Sequence, residues 1–249
     1  AVILSHAHID HSGNLPSLFK AGFRGPIYAT QATAHLSNIM LIDSGHIQES
    51  DAYFLNKKRI KSGGPLVEPL YTQEDAALVG QYFVGLDYDE EFEPLPGVSA
   101  RLVEAGHILG SAAVGLDVRE NGRRTKLWFS GDIGRRDLPL IRDPELPEAV
   151  DAMIMECTYG DKPHRDPQLA YDELRVVVGR TLERGGKVII PAFAVGRTQE
   201  IVYYLHQMFE RREVPRVPVY VDSPLAVNAS DVFKQHPECF DDETWAFIK

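Results

Sequence analysis

The side chains best equipped for chemistry crowd the start of the chain, Ala-Val-Ile-Leu-Ser-His-Ala-His-Ile-Asp-His-Ser-Gly. His6, His8, Asp10 and His11 follow an apolar run at residues 1–4. Imidazole nitrogen is a good zinc ligand, and carboxylate oxygen is another. Any one of these side chains alone would be an ordinary polar loop residue. Four in so short a stretch predict a metal site. Two further candidates lie downstream, His107 in Gly106-His107 and Asp132 in Ser130-Gly131-Asp132. Each is weak singly, since Asp is a common turn residue. Together the six are more than one zinc takes, which is about four with a position left open for catalysis. They suit two ions, especially if one carboxylate bridges. Two ions about 3.5–4 Å apart form a clamp for phosphoryl chemistry.

The elements that must position these residues can be read from the apolar patterning. Residues 1–4 read as a buried strand of the parallel kind, and ligands in open α/β sheets bind beyond the carboxyl ends of strands. Residues 14–22 predict a short helix, with Leu15, Leu18 and Phe19 apolar, and residues 27–30 a second strand. Residues 31–61 are helical in pattern, with Gly45 expected to interrupt them. His35 and His46 fall here and read as surface or helix-packing residues, not ligands. Lys57-Lys58-Arg59-Ile60-Lys61 is the most basic stretch. It reads as a solvated helix end favourable to the macrodipole, or else as a phosphate contact. Thr72 predicts an N-cap with Asp75 three residues on, and a helix to about residue 84.

An acidic loop is expected over 87–93, then strands at 98–105, 112–118 and 126–129, with Asn121-Gly122 as a hairpin turn. His107 and Asp132 follow the first and third of these. Residues 150–155 read as another buried strand. Beyond them come a helix at 166–184, a strand at 187–191, a helix to about 212, and a strand with a helix start at 218–226. This alternation predicts a parallel sheet in a second unit. Its Gly196-Arg197-Thr198 turn could bind an anion at a helix N-terminus, although capping favours the same residues.

Composition sets the outer limits. The chain has 249 residues, 44% hydrophobic and 25% charged, enough for a sizeable core. A formal charge of −10 argues against a broad basic surface for nucleic acid. It leaves room for such a substrate, because bound dications reverse the local field. Cys157 and Cys239 give neither a disulfide framework nor a Cys-x-x-Cys pair, so a reducing, cytoplasmic setting is expected. No membrane span or signal peptide is read. The chain opens inside a core strand without Met, so truncation at both ends is expected.

The string His6-x-His8-x-Asp10-His11, followed by His107 and Asp132, resembles motifs two to four of the metallo-β-lactamase superfamily. The resemblance implies that His6, His8 and His107 hold one zinc, that Asp10 and His11 hold the other, and that Asp132 bridges. Histidine as third ligand is similar to the zinc hydrolases and unlike the di-iron flavoproteins. The Asp-rich first motif is missing. Glu156-x-Thr158-Tyr159-Gly160, Pro191-x-Phe193-Ala194-x-x-Arg197-x-Gln199-Glu200 and Asp222-Ser223-Pro224-x-Ala226 resemble the β-CASP nucleases, the group of the cleavage and polyadenylation factor nuclease and its prokaryotic homologues.

The implied fold is α/β: a partial metallo-β-lactamase αββα sandwich over 1–157, without its N-terminal strands and C-terminal return segment. The rest, 158–249, would be the first part of an inserted β-CASP α/β parallel-sheet domain. The implied activity is that of a zinc-dependent ribonuclease that hydrolyses phosphodiester bonds with a hydroxide activated by two metals. Asp10 would orient the hydroxide or take its proton. Glu156 would orient a histidine that protonates the leaving oxygen, a residue outside this chain. The second zinc would have only Asp10, His11 and Asp132 here, because the later histidine motifs are not in the sequence. Arg197, Thr198 and Ser223 would contact substrate. Single-stranded RNA is the implied partner, with no membrane, and assembly as a homodimer or in a processing complex. Rival readings are a thioester or lactam hydrolase on the same ligands, since fold does not fix function, a DNA nuclease, and an inactive scaffold paralogue. Paralogues of the last kind lose ligands, and all six stand here.

Overall fold

The computed structural model describes residues 1–147 and 149–248. The chain divides into two compact units, one of residues 1–134 and 144–155, the other of 135–143 and 156–249.

The first unit opens on a parallel sheet of β1 (Val2–Ile3), β2 (Ile27–Thr30) and β3 (Phe83–Leu86), in that order. Around it run α1 (Ile9–Ser12), α2 (Leu15–Lys20), α3 (Gln31–Ser62) and α4 (Gln73–Val79). Leu4, Leu15, Phe19, Ile27, Leu41, Tyr71 and Val79 form the core between helices and sheet. Fully burying a side chain of this kind contributes about 1.5–3 kcal/mol.

Thr30 caps α3 through its hydroxyl, which accepts from the Thr33 N–H at 3.1 Å. The expected break at Gly45 does not occur. Gly45 is buried within a continuous helix, and a Cβ there would lie 2.8 Å from the backbone of Thr72 and Gln73. Glycine serves close approach here, not helix ending.

Thr72 and Asp75 form a reciprocal capping box, but α4 ends at Val79, short of the expected residue 84. A 3-10 turn at Gly80–Tyr82 leads into β3. A short apolar run fits helix or strand equally by period, and parallel pairing with β2 decides for strand.

The second sheet runs β4 (Glu91–Leu95), β5 (Val98–Glu104), β6 (Ala112–Glu120), β7 (Arg123–Phe129) and β8 (Ala152–Ile154), in sequence order. It is antiparallel except for the parallel β7–β8 pair. β4 occupies what reads in the sequence as an acidic loop. Its exposed and half-buried residues alternate, as suits a charged edge strand. Asn121 and Gly122 take φ of 49° and 75° in the hairpin turn, as expected. The sequence predicts β8 to be buried, yet its three side chains are exposed, because it is the other edge of the sheet. Leu86, Leu102, Ala112 and Val114, with Ile3, Tyr28 and Phe92, pack between the two sheets.

The second unit contains α5 (Pro167–Glu183), α6 (Arg197–Glu210), α7 (Pro224–Gln235) and α8 (Asp242–Ile248). Tyr171, Val178, Leu205, Met208 and Val214 form its core. The first three helices lie close to where the sequence puts them. Residues 187–191 and 218–222 enter no strand ladder among the described residues. Ile189 and Tyr220 are 89% and 86% exposed. Apolar character alone makes no strand without a neighbour to bond to.

No described helix is long and apolar enough to cross a membrane.

Candidate metal centre

Three loops build the site. The first leaves β1, where Leu4 N–H donates to the Tyr28 carbonyl and the Ser5 carbonyl accepts from Ala112 N–H at 2.7 Å. The segment after β1 is thereby tied to both sheets. His8 then caps α1, a single turn closed by His11 N–H to the His8 carbonyl at 3.0 Å. The Ser12 hydroxyl, buried, donates to the Ala7 carbonyl at 2.9 Å. This turn brings Asp10 and His11 back beside His6 and His8.

The second loop follows β5. The Ser111 hydroxyl accepts from the N–H groups of His107 and Ile108, at 2.9 and 3.2 Å. The Gly110 carbonyl accepts from the hydroxyls of Thr30 and Thr33, both at 2.7 Å. The third loop follows β7 and meets the second. Gly134 N–H donates to the Ala105 carbonyl at 2.8 Å. A Cβ on Gly134 would sit 1.5 Å from the Gly106 carbonyl oxygen, so only glycine lets these loops touch. Their contact holds His107 and Asp132 together.

His6 Nε2 and His107 Nε2 each lie 3.1 Å from His8 Nδ1. Asp132 Oδ2 is 3.7 Å from His6 Nε2 and 3.4 Å from His107 Nε2. The ligand atoms of His6, His8, His107 and Asp132 all lie within 4.8 Å of one another. The other oxygen, Asp132 Oδ1, is 3.2 Å from His11 Nε2, and the same nitrogen is 3.6 Å from Asp10 Oδ2. Asp132 thus turns one oxygen to each of two ligand sets.

Burial pushes the His6 pKa down to about 2, helped by His11, His8 and His107. His8 is also lowered, by burial and then His107, against the opposing pull of Asp10 and Asp132. Neutral imidazoles present lone pairs, which metal binding requires. Three ring nitrogens this close cannot all be satisfied by each other, because each gap holds at most one N–H. A cation takes all three lone pairs at once. The Ser5 hydroxyl lies 3.2 Å from His6 Nδ1 and so engages the far nitrogen, leaving Nε2 to the site. This nitrogen and oxygen set fits a divalent cation.

All six ligand candidates therefore meet in one place, within the first unit. Asp10 stands at its open side, with a side chain 75% exposed against 29% for Asp132. The remaining candidates lie in the second unit. Glu156 Oε2 accepts from Thr158 N–H at 3.4 Å. Arg197 begins α6 and pairs with Glu200 at 2.8 Å. The Thr198 hydroxyl donates to the Phe193 carbonyl at 2.7 Å, and the Ser223 hydroxyl caps α7 by accepting from Ala226 N–H at 3.2 Å. His35 and His46 are exposed on α3, outside the cluster. Sequence reasoning missed the supports Thr30, Thr33, Ser111 and Gly134. Only Ser111 had a signal, a hydroxyl four residues after His107 in a tight glycine-containing turn.

A family model described as the metallo-beta-lactamase superfamily matches residues 1–178. A model of the Beta-Casp domain matches residues 198–247. Ribonuclease TTHA0252 of Thermus thermophilus is 38% identical over 246 residues, 99% of this chain and 51% of that protein. Transcription termination factor FttA of Methanosarcina mazei is 34% identical, over 96% of this chain and 35% of its own length. FttA of Thermococcus kodakarensis is 36% identical over the same shares. The chain thus spans about half, or about a third, of the length of these curated relatives. With its ligand strings matched by geometry and most of its length covered by one family model, the chain belongs to the metallo-β-lactamase superfamily, in its β-CASP branch.

Proposed function

We propose that this chain carries the metal centre of a nuclease that hydrolyses RNA phosphodiester bonds. The observation behind it is the division of Asp132, one oxygen toward His6, His8 and His107 and the other toward His11. A carboxylate so placed suits two ions, and a set rich in imidazole suits zinc. RNA as substrate is supported by the printed name of the Thermus relative and by the Beta-Casp match. In this reading residues 1–157 are the metallo-β-lactamase domain and 158–249 the first part of the β-CASP domain, working on single-stranded RNA in the cytoplasm.

When bound, the two zinc ions supply hydroxide near neutral pH and offset the charge gathering on the phosphate. His6, His8 and His107 would hold the first ion and Asp10 and His11 the second, with Asp132 contributing to both. Asp10 is open to solvent and adjoins the shared carboxylate, so it orients the attacking water and takes its proton. Glu156 orients the group that protonates the leaving oxygen. Arg197, Thr198 and Ser223 contact the RNA backbone.

Asp10→Ala in the complete protein tests this. Cleavage of single-stranded RNA is expected to vanish while the fold and the metal held by His6, His8 and His107 persist. Retained cleavage would remove Asp10 from its role. Turnover of a thioester with none of RNA by the unaltered chain would overturn the proposed activity.

A further inference from the structure

The far end of α3 has no part in the site described above. The helix spans 32 residues, about 48 Å at 1.5 Å per residue. Its buried side chains stop at Ala52. Residues 53–62 therefore project beyond the core, yet they are held in place. Asn56 donates to the Val67 carbonyl and accepts from Val67 N–H, both at 2.8 Å. Arg59 donates to the Pro65 carbonyl at 2.9 Å. Gly63 closes the helix at φ 70°.

Tyr53, Lys57 and Lys61 stand at i, i+4 and i+8, with Phe54 and Lys58 at i and i+4 alongside, so the five share one face. Asn56 and Arg59 turn to the returning segment on the other side. Tyr53 and Phe54 are 65% and 59% exposed, their ring centroids 5.7 Å apart. Among the described residues Lys57, Lys58 and Lys61 make no ion pair. Glu49 and Asp51, about one turn nearer the core, bound the patch.

Exposed aromatic rings beside unpaired lysines, in a chain of formal charge −10, match the chemistry of a single nucleic-acid strand. Bases stack on the rings and phosphates meet the ammonium groups. A second copy of this chain fits the face poorly, because a two-fold contact sets lysines against lysines. We propose that this face of α3 is an auxiliary contact for single-stranded RNA, outside the metal centre. The inference rests on the proposed function only for the class of substrate.

The test compares the complete protein with its Lys57→Glu, Lys58→Glu, Lys61→Glu triple variant and its Tyr53→Ala, Phe54→Ala double variant. Each is assayed on a long single-stranded RNA and on a tetranucleotide too short to reach α3 from the metal centre, with light scattering alongside. KM for the long RNA is expected to rise about tenfold in both variants, at unchanged kcat. Tetranucleotide kinetics and molecular mass stay as they were. In the triple variant the slope of log affinity against log salt falls by about 2, from three lost phosphate contacts at about 0.7 each. Unchanged KM on the long RNA overturns the inference and leaves the proposed function intact. Equal losses on both substrates, or a change of mass, also overturn it, the latter in favour of contact between copies. If the complete protein, unaltered, neither binds nor cleaves RNA, both proposals fall.

Discussion

Asp132 is where the chemistry of single residues concentrates. Its two oxygens face different ligand sets, and His6 beside it is fully buried and held neutral. Four of the six ligand candidates, His6, His8, Asp10 and His11, were legible in the sequence because such residues rarely crowd within a few positions of one another, whereas His107 and Asp132, weak singly, gained weight only beside them. The residues themselves left open which carboxylate would be shared, and only the family resemblance pointed to Asp132, since the sharing depends on the side-chain angle the loops impose. Glu156 belongs to the same scale. As an orienting group that touches no metal in the proposed mechanism, its substitution Glu156→Gln should slow RNA cleavage while metal content stays near that of the parent. Elemental analysis beside a rate measurement checks this, and loss of metal would instead put Glu156 among the groups that hold the ions.

At the scale of elements, the site depends on two loops meeting through Gly134. Gly134→Ala would force the chain after β7 away from the Gly106 carbonyl, at a cost of about 1–3 kcal/mol from overpacking. The expected outcome is a protein that still unfolds cooperatively but has lost metal, because Asp132 no longer reaches His107. Metal content at parental level would show that the loops find another approach.

On α6, burial raises the Glu200 pKa above its ordinary value, against the pull of Arg197 and Arg135. The ionised form therefore costs stability above the folded value, and this cost disappears as pH falls through it to the unfolded value. Glu200→Gln is expected to raise the melting temperature at neutral pH and to lose that advantage below the ordinary carboxylate range. A lower melting temperature at neutral pH would mean that the pair with Arg197 outweighs burial.

Long patterned elements were readable in advance, α3, α5 and the β5–β7 meander among them. The strands β3 and β4 were not. One is a short apolar run with no period of its own, and the other is an edge whose charges resemble a loop. Gly45 was misread because a glycine needed for close packing looks the same in sequence as one that ends a helix.

For the whole molecule, the net negative charge is visible from composition, while the excursion of residues 135–143 into the second unit has no signal in the change of pattern after the β strands. With so acidic a balance, positive field has to be made locally, as by the lysines at the tip of α3, in place of a broad basic surface. What composition could not disclose is how residues 187–191 and 218–222 stand outside any ladder among the described residues, since pairing depends on neighbours and not on the segment itself.

Whether one centre holds two ions through a shared Asp132 is decided by calorimetric titration of zinc into the metal-free chain. Removing a group that merely orients a ligand costs about 10–100-fold in metal affinity, so removing a ligand costs more. The parent is expected to bind a tight ion and a weaker one. Asp10→Ala should lose the weaker ion alone, and Asp132→Ala should weaken both. An Asp132→Ala chain that binds either ion with parental affinity would show that the carboxylate is not shared.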